Sequence, residues 1–218
     1  MYAPVVDEAG AANYVIARAE NRNFVYRITT DGEATVLAAD VGDGPAYGAT
    51  RLADGTLLVA EWNGQIHRVD AAGVTSRYAR LIDEHIYQIA ADSAGNVFAA
   101  TLDGEVIRIA PDGALSYFQT GFGHGGLVAI TASADGWVYA AERGGEGRVV
   151  RFSPEGRREL LYRQPAAEFY GLAIDGAFLY ALDLTERHML RLPLPGVSAP
   201  AMLAANHARA PIGGVRQQ

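Results

Sequence analysis

Apolar residues along the chain occur in short runs that polar and glycine-containing segments separate. Five such runs cover residues 14–17, 56–60, 96–100, 137–141 and 178–182. These runs are too short for helices and are rich in Val, Leu, Tyr and Phe, which favour β-strands. No segment shows a long apolar pattern with the 3.6-residue period of a helix. The pattern therefore predicts an all-β chain made of many short strands.

An apolar pair followed by Arg recurs along the chain at nearly constant spacing. These Arg residues stand at positions 27, 68, 108, 151 and 191, so the intervals are 41, 40, 43 and 40 residues. A glycine-containing turn follows each of them, at Gly32, Gly73, Gly113, Gly156 and Gly196. Glycine suits a hairpin turn because it adopts a positive φ without steric cost. The chain is therefore a repeat with a period of about 41 residues.

Two further strands complete each repeat. One precedes the two strands already described, at residues 46–50, 86–90, 128–132 and 170–174. We call it the inner strand of its blade, and we call the apolar run that follows it the second strand. The other follows the glycine turn, for example at residues 75–79 and 115–119. Four strands per repeat are typical of a β-propeller blade, whose sheet packs face to face with its neighbours around a central channel. We therefore expect one β-propeller domain over residues 1–218, built from four-stranded blades.

The number of blades follows from the length and from the two ends of the sequence. Dividing 218 residues by the period gives about 5.3 repeats. An apolar segment at residues 210–215 resembles one more inner strand, and we expect it to pair with the strand beginning at Tyr14 and close a ring of five blades. Residues 2–6 would then form the outermost strand of the last blade or a tail. An incomplete or six-bladed ring is the alternative.

Composition and charge exclude several classes of site and partner. The sequence has no Cys, which removes disulfides, thiolate metal sites and Cys nucleophiles. All 18 basic residues are Arg, so a Schiff-base lysine and a P-loop lysine are excluded. A net charge of −7 without a basic cluster argues against nucleic acid and anionic membranes as partners. The N-terminal residues lack the features of a signal peptide, and no apolar run could span a bilayer, so we expect a cytoplasmic protein.

Candidate ligand-binding residues gather at one face of the predicted propeller, where loops lead into the inner strands and leave the second strands. Tyr47, Tyr87 and Tyr170 recur at the entrances of inner strands. Three phenol rings around the channel mouth could stack on a planar ligand and orient it with their hydroxyls. The alternative is that the rings fill the space between blades. Further ligand-binding candidates on this face are Trp62, His124 and Asp183.

Acid–base chemistry is the reaction type that this face favours. All six serines lie away from it, so a serine-hydrolase triad is not predicted. His85 and Glu168 directly precede inner strands and are the predicted proton-transfer pair. Glu61 and Glu142 end second strands, where they could stabilise positive charge or transfer protons, or could simply accept hydrogen bonds from their own loops. The remaining histidines are interpreted as structural or solvated; these are His67, His188 and His207.

Residues 42–47, 54–61 and 64–70 resemble the gluconolactonase and senescence-marker-protein family, most specifically in Gly42-Asp43-Gly44-Pro45. The looser Tyr170-Gly171-Leu172-Ala173 also resembles NHL repeats and strictosidine-synthase-like proteins. The first resemblance implies a hydrolase that opens lactones and holds a divalent cation, usually calcium, at the position of Asp43. The other strand entrances carry Tyr87, Val128 and Tyr170, whereas that family has Asn and Asp ligands there.

Two functional hypotheses follow from these residues. The first is an enzyme that uses acid–base chemistry on a small, partly planar molecule, by lactone hydrolysis, elimination or cyclisation. The second is a non-catalytic, NHL-like propeller that binds a ligand or a protein on the same face. Because propellers serve both roles, the fold alone does not choose between them.

Overall fold

Twenty strands in five antiparallel sheets make up the computed structural model, which describes residues 2–6, 12–123, 126–143, 146–196 and 210–211. Each sheet has four strands, as the repeat predicts. The predicted all-β fold, a five-bladed β-propeller of four-stranded blades, is confirmed. None of the described residues belongs to a helix long and apolar enough to cross a membrane.

The strands follow one another in the same order in every blade. Blade one contains β1 (Tyr2–Val6), β2 (Ala12–Ala19), β3 (Arg22–Thr29) and β4 (Ala34–Ala39). Blade two contains β5 (Ala46–Arg51), β6 (Leu57–Glu61), β7 (Gln65–Val69) and β8 (Thr75–Arg80). Blade three contains β9 (Ile86–Ala91), β10 (Val97–Thr101), β11 (Val106–Ile109) and β12 (Leu115–Gln119). Blade four contains β13 (Leu127–Ala132), β14 (Val138–Glu142), β15 (Arg148–Phe152) and β16 (Arg158–Arg163). Blade five contains β17 (Phe169–Asp175), β18 (Phe178–Asp183), β19 (His188–Pro193) and β20 (Ala210–Pro211).

The apolar core of the described residues lies between the blades, in four clusters, one for each pair of blades that are consecutive in the sequence. Strand β6 shows how one strand serves two clusters. Its Leu57 and Val59 pack toward blade one, and its Leu58 and Ala60 pack toward blade three. Successive side chains of a strand point to opposite faces, so a strand buried on both faces reads as an unbroken apolar run. This double burial explains why the second strands of blades two to four are almost entirely apolar in the sequence.

The pairing of the chain ends differs from the prediction. Strand β1 pairs with β2, from Tyr2 opposite Ala17 to Val6 opposite Asn13, and it lies beside inner strand β5. Residues 2–6 therefore form the inner strand of blade one, and β20 pairs with β19 at the outside of blade five. The predicted assignment of these two segments was wrong. Loop length gives a physical reason. Pairing β1 with β2 closes a short loop, whereas pairing residues 210–215 with β2 would close a loop of nearly the whole chain, at a larger entropy cost.

In blades two to five, the Arg of the repeat contacts a residue at the start of the second strand of its own blade. Arg68 donates a hydrogen bond to Thr56 Oγ1 at 3.0 Å, and Arg108 donates two to Asn96 Oδ1 at 3.0 and 2.8 Å. In blades four and five the same position is aromatic. There the guanidinium lies over a ring, with Arg151 4.2 Å from the Trp137 centroid and Arg191 4.5 Å from that of Phe178. The recurring Arg therefore holds neighbouring strands together at the face opposite the candidate site.

Candidate functional site

A β-bulge recurs at the entrance of four inner strands. In β5 the pairing with β6 passes from Ala46 directly to Gly48 and leaves Tyr47 unpaired. The same shift in register leaves out Tyr87 in β9, Val128 in β13 and Tyr170 in β17. A bulge inserts an extra residue and changes the direction of its side chain. The sequence predicted the recurrence of these positions, and the structure adds the backbone irregularity that they share.

Backbone hydrogen bonds hold the loops at this face in a repeated geometry. In blades two to five, the residue after the second strand donates its N–H to the carbonyl of a residue at the inner-strand entrance of the same blade. The donor–acceptor pairs are Trp62 to Pro45 at 2.8 Å, Leu102 to His85 at 2.8 Å, Arg143 to Gly126 at 2.8 Å and Leu184 to Glu168 at 3.0 Å. His85 and Glu168 therefore occupy equivalent positions in blades three and five.

Four aromatic rings from blades two and three form a cluster at this face, which we call the aromatic patch: Tyr47, Trp62, His85 and Tyr87. The Trp62 ring lies at its centre, with ring centroids 5.2 Å from Tyr47, 4.8 Å from His85 and 5.1 Å from Tyr87. Tyr47 and Tyr87 also meet edge to face at 6.3 Å. The two Tyr rings and Trp62 are half-buried, whereas His85 is exposed. A bound molecule could therefore contact aromatic surface and an imidazole at once.

Two of the three tyrosines predicted to surround the channel mouth come together in the aromatic patch. Tyr170 lies in blade five, where the guanidinium of Arg143 sits 5.9 Å from its ring centroid. Arg143 is exposed and comes directly after β14. This cation–π contact adds a positive charge to the face on the side of blades four and five. The position of the contact was not predicted, because it joins residues of two different repeats.

Glu61 ends β6 and is fully buried, with 0% of its surface exposed. Its carboxylate accepts hydrogen bonds from the Gly44 backbone N–H at 2.7 Å and the Asn23 amide at 3.3 Å. Its other oxygen lies 3.2 Å from His67 Nε2 and 3.4 Å from the Gln65 amide nitrogen. A buried carboxylate is tolerated when donors surround it in this way. Glu61 thus joins blade one to blade two.

The corresponding positions of the next blades have different partners. In blade three, Thr101 accepts a hydrogen bond from the Glu105 N–H at 3.2 Å. In blade four, the buried carboxylate of Glu142 forms ion pairs with Arg148 at 2.6 Å and Arg158 at 2.9 Å. In blade five, Asp183 Oδ1 accepts hydrogen bonds from the backbone N–H groups of Thr185 at 2.8 Å and Glu168 at 3.4 Å. Each of these groups thus connects parts of its own blade.

Glu84 is a titratable group with a shifted pKa, located next to the aromatic patch residue His85. Burial raises the pKa of the Glu84 carboxyl, and the negative charges of Glu105 and Asp103 raise it further. A hydrogen bond with Thr101 acts in the opposite direction. One oxygen of this carboxyl is buried and has no hydrogen-bond partner. Glu84 therefore holds its proton to a higher pH than an ordinary glutamate.

The other predicted site residues have the following places. Glu168 is half-buried at the entrance of β17, and the inner strand of blade four separates it from His85 along the ring. Asp43 is exposed, and its backbone carbonyl lies 3.4 Å from Arg18 Nη2. His124 lies outside the described residues. The proton-transfer pair and the cation at Asp43 both stay predictions.

The sequence interpretation missed a group of ligand-type side chains in blade five. His188, interpreted as structural or solvated, is buried and lies opposite Asp183 in the β18–β19 pairing. Glu186 from the connecting turn completes a group whose three donor atoms all lie within 4.8 Å of one another. The sequence did contain a signal for this group. Asp183 and His188 flank the four-residue segment 184–187, and Glu186 lies within that segment.

Comparisons with known proteins agree with the fold. No family model matches the chain, and no curated protein matches it. A streptogramin B lyase aligns with a TM-score of 0.71 and 17% identity over 88% of this chain and 65% of that one, so this chain spans about two thirds of that protein's length. A virginiamycin B lyase from Staphylococcus aureus aligns with a TM-score of 0.67 and 17% identity over 98% of this chain and 85% of that one. The same lyase has also been solved as a catalytically inactive variant with quinupristin, and that structure aligns with the same TM-score and identity.

A structure of a nidogen/laminin complex aligns equally well, with a TM-score of 0.71 and 17% identity over 88% of this chain and 75% of that one. At this level of identity the likeness concerns the fold alone. It supports a β-propeller and does not single out the gluconolactonase family. Both lyases and a protein complex thus share the architecture of this chain.

Proposed function

We propose that the chain is a small-molecule enzyme that binds a cyclic ester on the aromatic patch and opens it by acid–base chemistry. The observation that carries the proposal is the exposed imidazole of His85, held 4.8 Å from the Trp62 ring centroid among half-buried tyrosines. Aromatic surface beside a few polar groups is the usual character of a small-molecule site. The structural likeness to two lyases supports this class of reaction.

His85 is the proposed base in this reaction, and Glu168 is its proposed partner. In an elimination the base removes a carbon-bound proton, the ester C–O bond breaks, and a carboxylate and a double bond form. In a hydrolysis the base instead removes a proton from the attacking water. A His side chain suits both steps because its ordinary pKa lies near neutral pH.

The activity test uses two probes, dihydrocoumarin as a small lactone with a planar aromatic ring and quinupristin as a cyclic depsipeptide. Products are identified by liquid chromatography with mass detection, since hydrolysis adds one water to the mass whereas elimination leaves it unchanged. We expect turnover of at least one probe and a loss of about 100-fold or more in kcat for His85→Ala, as general-base catalysis typically contributes 10²–10⁴-fold. Glu168→Gln should lower kcat as well.

The matched control is Tyr117→Ala, which removes an exposed aromatic ring on β12, away from the patch. This variant should keep full activity. Turnover that persists unchanged in both His85→Ala and Glu168→Gln would overturn the assignment of the proton-transfer groups.

A second candidate function is recognition of a protein or peptide by the aromatic patch. Tyr and Trp side chains are frequent anchors of protein interfaces, and the likeness to a propeller from a nidogen/laminin complex supports this alternative. Saturable binding of the probes or of a peptide without any turnover would favour this candidate over the enzyme.

A further inference from the structure

We propose that Asp183, Glu186 and His188 form a binding site for a divalent transition-metal ion such as Zn²⁺ in blade five. These residues lie on the hairpin between β18 and β19, at the ends of the two strands and in their connecting turn. Asp183 and His188 face each other in the strand register. The site therefore rests on a rigid pair of strands and on one turn residue.

Two buried atoms in this group have no hydrogen-bond partner. They are Asp183 Oδ2 and His188 Nδ1, on side chains that are 0% and 6% exposed. Leaving a buried carboxylate oxygen and a ring nitrogen without partners is costly, so such atoms call for a missing ligand. The other oxygen of Asp183 is already engaged by the backbone of Thr185 and Glu168, which fixes the orientation of the carboxylate.

The distances fit a metal ion between the side chains better than direct contacts among them. His188 Nδ1 lies 3.8 Å from Asp183 Oδ2 and 3.5 Å from Glu186 Oε2. The first distance is too long for a hydrogen bond. Ligands held about 2.0–2.2 Å from a tetrahedral Zn²⁺ are separated from one another by about 3.3–3.6 Å. A small inward shift of one side chain would complete the coordination.

The equivalent positions in two other blades explain why a cation is needed here. Glu61 is surrounded by four donors in blade two, and Glu142 is neutralised by two Arg residues in blade four. Asp183 has no Arg partner among the described residues, and His188 Nδ1, at 3.8 Å, is the nearest basic nitrogen that these residues offer. A bound cation would supply the positive charge that Arg148 and Arg158 supply to Glu142.

The ligand types indicate which metal ion the site would prefer. Two carboxylate oxygens and one imidazole nitrogen suit Zn²⁺ and related transition ions better than Ca²⁺, which prefers oxygen ligands alone. Glu186 is 44% exposed, so the ion has a path from solvent. Three protein ligands leave at least one coordination position open for water, as in catalytic rather than structural zinc sites.

Isothermal titration of Zn²⁺ into chelator-stripped protein without a histidine tag tests the proposal. We expect about one ion per chain and a thermal stabilisation that rises with Zn²⁺ concentration. Co²⁺ serves as a spectroscopic probe, and its visible absorption should appear in the wild type and disappear in His188→Gln. The loss of an outer-shell partner already costs about 10- to 100-fold in affinity, so His188→Gln should weaken Zn²⁺ binding by about 100-fold or more.

Glu186→Gln is the variant that keeps the test decisive, because its exposed side chain can change without unfolding the hairpin. We expect it to weaken Zn²⁺ binding by about 10-fold or more. His67→Gln, which alters a histidine–carboxylate contact in blade two, is the matched control and should bind Zn²⁺ as the wild type does. Absence of saturable Zn²⁺ binding, or binding that a folded Glu186→Gln or His188→Gln variant retains in full, would overturn the site.

Discussion

Buried carboxylates at the ends of second strands are the clearest feature at the scale of single residues. Burial of a charge is costly unless hydrogen bonds or an opposite charge accompany it. Glu61 meets this condition with groups from blade one, from the loop before β5 and from β7. Its position therefore determines how well the first two blades hold together.

Replacing Glu61 by Ala should lower the free energy of unfolding by about 2–4 kcal/mol, because it leaves several buried donors without an acceptor. Urea denaturation measures this change. The control is Glu33→Ala, an exposed position, which should stay within about 0.5 kcal/mol of the wild type. Equal stability of the two variants would contradict the structural role of Glu61.

The raised pKa of Glu84 makes a prediction about pH. Because its folded pKa lies above its unfolded value, the folded state binds more protons between those two values, and stability falls as pH rises through that window. Glu84→Gln removes the cost of burying a charged carboxylate and also the repulsion from Glu105 and Asp103. The variant should melt about 1–2 °C above the wild type at pH 8.

At about pH 4 the wild-type carboxyl is largely protonated, so the advantage of Glu84→Gln should shrink toward zero. Thermal unfolding followed by circular dichroism at both pH values checks this. A variant that is less stable than the wild type at pH 8, or an advantage that does not change with pH, would contradict the assignment.

At the scale of strands, the inner strands approach each other unequally around the ring. A Cβ placed on Gly48 in β5 would lie only 2.8 Å from Gln88 Cα and Ile89 N of the neighbouring inner strand. The equivalent residue in blade five is Gly171, where a Cβ would meet Leu182 Cβ at an ordinary 3.5 Å. Glycine is therefore required for packing at one position and not at the other.

Gly48→Ala should destabilise the protein by about 1–3 kcal/mol, since backbone atoms of β9 would have to move. Gly171→Ala is the matched control and should cost less than about 1 kcal/mol. Chemical denaturation of both variants measures the difference. If both substitutions cost the same, then β5 and β9 are not as close as the structure has them.

The strands were largely predictable from the sequence, and their partners at the two chain ends were not. Inner strands predicted at residues 46–50 and 86–90 are found at Ala46–Arg51 and Ile86–Ala91. Alternation of polar and apolar residues reveals which face of a strand is buried, because side chains point to opposite sides in turn. This alternation does not reveal which strand lies next to a given strand. Because residues 2–6 and 210–215 are both short and apolar, the sequence did not show which of the two segments pairs with β2.

The candidate site was predictable to a similar extent. The period placed Tyr47, Tyr87 and Tyr170 at equivalent entrances, but the contacts of Trp62 with His85 and of Arg143 with Tyr170 join different repeats. Contacts between repeats depend on the packing angle of the blades, which no local pattern contains. The facing of Asp183 and His188 depends likewise on the register of a hairpin.

At the scale of the whole molecule, the ring keeps the two proposed sites apart. The aromatic patch belongs to blades two and three, and the proposed metal site belongs to the hairpin of blade five. Apolar clusters between consecutive blades fix these positions relative to each other. Loss of the metal ion should therefore leave the aromatic patch intact, and the two proposals can fail independently.

Trp62 offers the most direct test of the central claim that the aromatic patch is the ligand site. The chain has two tryptophans, and in a Trp137→Phe variant the emission reports on Trp62 alone. Titration with dihydrocoumarin or quinupristin, whichever the protein turns over, should change this emission with a midpoint that matches the KM of turnover. Turnover that saturates while the Trp62 emission stays unchanged would show that the substrate binds elsewhere.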